Sequence, residues 1–120
     1  MKELDREIQK TSDAFLHCRK ALIALGDENR QHLILEMMKM GSCTGVRVGD
    51  ITRQTHLSRP AVSHHLQILK DAGIIQMRKE GTMHYYYFDA DPKAMNQLLD
   101  LVLQTKKIMG MLPKREANAD

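Results

Sequence analysis

Two histidines stand side by side within residues 57–75, LSRPAVSHHLQILKDAGII. Imidazole is the commonest protein ligand for transition metals, so the pair first suggests an ion site. Helical geometry argues otherwise. At about 100° per residue, Ala61, Val62, His65, Leu66, Ile68, Leu69 and Ala72 fall in one arc. Arg59, Pro60, Ser63, His64, Gln67, Lys70 and Asp71 fill the other. Two ligands on one helix need a spacing of about three or four residues to share a face, and adjacent positions diverge. His65 therefore reads as a packed histidine hydrogen-bonded to nearby backbone, and His64 as a side chain offered outward.

The other reactive residues are dispersed. His17, His32, His56 and His84 lie in separate segments. Met37, Met38 and Met40 read as helix core, because thioethers without a thiolate or imidazole hold divalent ions poorly. Cys18 sits on an apolar seam and Cys43 in the loop GSCTG, which leaves thiol-based sensing as an alternative reading for either. There is no nucleophile–histidine arrangement, no pair of carboxylates on one face and no phosphate-cradling glycine loop. No enzyme, cofactor or metal site is expected.

The elements that must position these side chains follow from periodicity. Leu4, Ile8, Thr11, Phe15, Cys18, Leu22 and Leu25 recur at spacings of four and three, an apolar helical seam that Gly26 closes. Asp27 can cap the next helix, ENRQHLILEMMKM, which ends at Gly41. VGDITRQT is a short helix, HLS a tight connection, and Ser58 caps the helix dissected above, which stops at Gly73. In IIQMRKEGTMHYYYF, Gly81 supplies the freedom for a hairpin turn. Asp91 is expected to cap a last helix with Pro92 at its first position, an apolar stripe of Met95, Leu98, Leu99, Val102 and Met109, and its end at Gly110. The fold class is thus mainly α with a small β-hairpin, a winged helix-turn-helix. Residues 1–112 form one domain, and 113–120 a flexible tail.

The chain of 120 residues carries a net charge of +3, all of it within residues 46–88. A basic centre between neutral ends suits contact with phosphates. Ser63, His64 and Gln67 face outward, where base edges in a major groove could be met. Ser58, Arg59 and Lys70 lie near the helix ends and Arg78, Lys79 and Thr82 at the hairpin, all in reach of phosphates or the minor groove. The expected partner is a double-stranded DNA operator. A winged helix that binds only protein is the alternative, but the polar outer face lacks the apolar anchors of an interface core. No apolar run approaches a membrane span and no apolar leader follows the charged start, so the expectation is a soluble, cytoplasmic protein.

ALGDENRQHLILEMM, VGDITRQTHLSRPAVSHHLQILKDAGII and RKEGTMHYYYF together resemble the ArsR/SmtB family of bacterial transcriptional repressors. The likeness covers roughly residues 20–90. It rests on Asp27-x-x-Arg30, Ser58-x-Pro60, Ser63-x-His65-Leu66, Ala72-Gly73-Ile74 and Gly81. The resemblance implies a homodimer built from the first and last helices, and a repressor released by an inducer. It does not bring the family's two best-known metal sites. Where one uses a Cys-x-Cys pair this chain has Arg47 and Gly49, and where the other draws on the last helix it has Ala90, Pro92, Leu103 and Lys106.

Overall fold

The side chain of Asp27 accepts a hydrogen bond from the Arg30 backbone N–H, and that of Ser58 from the Ala61 N–H, so two helices begin where local chemistry tells them to. The structure is a computed structural model that describes residues 2–41 and 44–113. In chain order the elements are α1 (Lys2–Leu25), α2 (Glu28–Met40), α3 (Val48–Arg53), α4 (Arg59–Asp71), β1 (Gln76–Glu80), β2 (Met83–Tyr87) and α5 (Lys93–Met111). Gly41 closes α2 in the left-handed region at φ 58°. Gly73 leaves α4 at φ 77°, and a Cβ there would stand 3.4 Å from that of Ala94 at the start of α5.

β1 and β2 pair antiparallel with Lys79 opposite His84 and Glu80 opposite Met83, so Gly81 and Thr82 alone make the turn. Only Gly81 takes a positive φ, 60°, the signature of a turn whose twist matches the strands it joins. Val46 adds one more rung beside Tyr86, exchanging two backbone hydrogen bonds of 2.8 Å with it. The hairpin is thereby tied to the segment that enters α3. Leu33, Ile51, Val62, Leu66, Leu69 and Ile75 are fully buried and form the centre of the core.

The terminal helices differ from the periodicity reading. α1 and α5 pack on each other, with the start of α1 near the end of α5. The face of α1 that packs carries Thr11, Ala14, Cys18 and Ala21, and it buries Glu7 as well. Ile8, Phe15 and Leu22, expected on the same seam, are rotated away and exposed. Glu7 tolerates burial because Gln104 Nε2 donates to its Oε2 at 2.6 Å and Lys107 Nζ lies 3.4 Å away. Those donations, Gln104's first, hold its carboxyl below the usual range against the opposing effect of burial.

α5 also starts and stops elsewhere than expected. Pro92 occupies the cap position with no side-chain cap, while Asp91 accepts from Asn96 Nδ2 at 2.7 Å. Gly110 stays helical and the helix runs on to Met111. The stop is set by Pro113, which drives the preceding Leu112 to an extended ψ of 151°. In the α2 methionine group Met37 is core, but Met38 is exposed. Most of the tail, residues 114–120, lies outside the described residues. Among the described residues no helix is long and apolar enough to cross a membrane.

Candidate nucleic-acid interface

α3, the turn after it and α4 bring two short helices together across a shared core, to which α3 gives Ile51 and α4 gives Val62 and Leu66. The arcs expected of α4 are the ones observed. Val62, Leu66 and Leu69 are buried, whereas Ser58, Arg59, Ser63, His64 and Gln67 are exposed and Lys70 is half-buried. Gln67 Nε2 donates to Asp71 Oδ1 at 2.9 Å, which lays the amide along the helix surface.

His65 fixes how α4 sits. Its Nδ1 lies 3.2 Å from Arg30 Nη1, and a guanidinium can only donate, so Nδ1 accepts and the neutral ring carries its proton on Nε2. The partner is thus a side chain of α2, not the backbone group expected. Arg30 is itself buried, and it also donates to the carbonyls of Ala24 at 2.8 Å and Ile23 at 3.1 Å. One guanidinium on α2 therefore joins the end of α1 to α4.

Desolvation, opposed by Asp27 and reinforced by Arg30 and His64, lowers the pKa of His65 below its ordinary 6.5. The unfolded chain then takes up the proton first. Stability from this contact is complete above 6.5 and drains away as pH falls below it toward the folded-state value. Urea midpoints should drop between about pH 7.5 and about pH 5.5, and His65→Gln should flatten that part of the profile. An unchanged slope in the variant would remove His65 as the source.

The hairpin separates two neighbouring cations. Successive strand residues point to opposite faces. Lys79 shares a face with its partner His84, and with buried Tyr86 beyond it. Arg78 is on the other face, its guanidinium 4.9 Å over the Tyr85 ring. It donates through Nη1 to the Thr44 carbonyl at 2.7 Å and through Nε to Glu80 at 3.1 Å. Of the expected pair, Lys79 is exposed with Thr82, while Arg78 braces the hairpin against the loop before α3.

Between hairpin and α4 lies a groove of about 330 Å³, lined among others by Arg47, Arg59, Ser63, Gln67, Thr82 and His84. Arg47 and His84 were not among the residues expected there. Arg47 sits at the N-cap of α3 and makes no side-chain cap bond. A smaller hollow beside it adds Asp50 and Arg53, which pair with each other. The signal for Arg47 was its place one residue before the helix pair. For His84 it was the register, which sets it across from Lys79. His64 stands apart from the groove lining, at the exposed face of α4 with its ring 5.9 Å from that of His65.

Among the described residues no group of three or more His, Cys, Asp or Glu could hold a metal ion. Cys18 is free and buried against α5. Cys43 lies outside the described residues.

Residues 28–77 match the family described as bacterial regulatory protein, arsR family. An HTH-type transcriptional regulator of Methanocaldococcus jannaschii is 37% identical over 78 residues, covering 64% of this chain and 84% of that protein. The arsenical resistance operon repressor of Staphylococcus xylosus is 30% identical over 68% of this chain and 75% of its own length. The chain belongs to the ArsR family. A crystal structure of another ArsR-family transcriptional regulator superposes with a TM-score of 0.66 over 81% of this chain and 94% of that one, at 13% identity, a likeness of fold. The ArsR-family chain described here is accordingly a DNA-binding transcriptional regulator of winged-helix architecture.

Proposed function

We propose that the chain is a homodimeric repressor that binds a double-stranded DNA operator in the cytoplasm, and that a signal other than the family's two best-known metal sites releases it. The observation that carries this reading is the groove in which Arg47, Arg59, Ser63, Gln67 and His84 converge from three elements. Ser63, His64 and Gln67 meet base edges, and Gln67 gives up its bond to Asp71 when its amide turns to a base. Ser58, Arg59, Lys70 and Arg47 take phosphates flanking the same groove. Lys79, Thr82 and His84 lie over the adjacent backbone, and Arg78 acts by holding them there. Residues 1–112 work as one unit whose terminal helices dimerise, with 113–120 a tail outside it.

Binding curves on operator and scrambled duplex at several salt concentrations test the division of labour. Gln67→Ala should change which bases are preferred, by about 1–3 kcal/mol at the affected position. Lys79→Ala should weaken all sequences alike and make the salt slope shallower by about two for a dimer. The reading element is misassigned if Gln67→Ala leaves base preference intact while Lys79→Ala alters it.

A further inference from the structure

His65 lies in α4 between the outward residues His64 and Gln67, yet its ring turns inward to α2. The partner it finds there is buried and cannot follow a moving ring. Arg30 commits Nε and Nη2 to the carbonyls of Ala24 and Ile23, and offers Nη1 to His65 Nδ1 at 3.2 Å. Nδ1 accepts only while the ring is neutral. A proton on it sets two donors and two positive charges face to face with no acceptor between them. Turning the ring gives no relief, because both nitrogens of an imidazolium donate. With Arg30 held at the end of α1, the side that yields is His65, and α4 yields with it. The charges acting on the ring are few. Asp27, the cap of α2, favours its charged form, while Arg30 on α2 and His64 on α4 oppose it. Among the described residues no charged side chain of α1 or α3, the other helices packed on α4, acts on it. Asp27 is engaged in capping α2 through the Arg30 backbone N–H, so a charged ring gains it only by moving.

We infer, resting on the reading of α4 as the operator-binding helix, that proton uptake by His65 releases the regulator from DNA. The neutral ring ties α4 to α2 in the position that presents Ser63, His64 and Gln67 together. The charged ring unties it. Operator binding then favours the neutral form, and by linkage each subunit takes up a proton as it lets go. This direction opposes the usual one, in which histidines on a phosphate-facing surface add affinity when charged. His64 and His84, exposed on that surface, follow the usual direction. His65→Gln separates the two effects, because Gln keeps an acceptor for Arg30 and cannot take the proton.

The probe is a duplex that the full-length protein selects from a random pool at about pH 7.5. Its affinity for the parent and for His65→Gln is measured from about pH 7.5 to about pH 5.5, with circular dichroism confirming that both stay folded. The ratio of parent to variant affinity cancels His64 and His84. It should fall by on the order of tenfold across that window, one proton being taken up per subunit. A constant ratio overturns the inference. NMR of the free protein gives a second reading. The Arg30 Nε–H signal and the backbone amides of Arg59 and Lys70, at the two ends of α4, should shift in step with the titration of the His65 ring. If they hold still while the ring titrates, α4 does not move and the inference fails. A parent that selects no duplex sinks the operator reading instead. In that case, or if the variant does not fold, the parent's NMR titration alone decides whether the proton moves α4.

Discussion

Arg30→Ala should lower the stability of the domain by on the order of 3 kcal/mol. The guanidinium makes three hydrogen bonds from a nearly buried position, two to carbonyls at the end of α1 and one to His65. Truncation leaves Ile23 O and Ala24 O without these donors and returns only the cost of desolvating the charge. A melting temperature lower by about 10 °C or more is the expected reading. Arg30→Lys keeps the charge but not the fork, so it should recover only part of the loss. If Arg30→Ala melts within a few degrees of the parent, α1 is held to the core by its apolar contacts alone.

The second large effect concerns assembly. Leu99 and Val102 on α5 are 58% and 62% exposed, and Phe15 on α1 is 47% exposed, too much apolar surface for solvent. A two-fold contact repeats every substitution, so Val102→Glu places two carboxylates in the proposed interface with no partner on hand. The cost is several kcal/mol per carboxylate, enough to make the chain monomeric at tens of micromolar (on the order of usual assay concentrations) in sedimentation. Operator affinity should fall by about 100-fold or more with it, since each half-site is then held alone. A Val102→Glu protein that still sediments as a dimer places the interface on another face.

The face of α4 was legible because a 3.6-residue period with no exceptions leaves one way to bury a helix. Asp27 and Ser58 were legible as caps because their partners lie only three residues on. The rotation of α1 was not. Spacings of four and three fit two neighbouring faces, and the large apolar residues pointed to the one that stays exposed. The face that packs holds small residues and Glu7, and Glu7 is admissible because its partners Gln104 and Lys107 wait on α5, the first of them 97 positions away. The partner of His65 lay equally out of local view, on a helix 35 residues earlier. Arg78 and Lys79 were separable in principle, since adjacent strand residues diverge. Which face meets α4 depended on the packing of Tyr86.

That embrace of α1 by α5 also sets an order of events during synthesis. Glu7 leaves the ribosome long before Gln104, with 97 positions between them. At about 5–20 residues per second this is a delay on the order of ten seconds. The middle elements, whose contacts are closer in sequence, can fold in that interval. Nascent α1 meanwhile has no α5 to cover it. The window in which this protein is open to chaperones or to aggregation is therefore set by the length of its own centre.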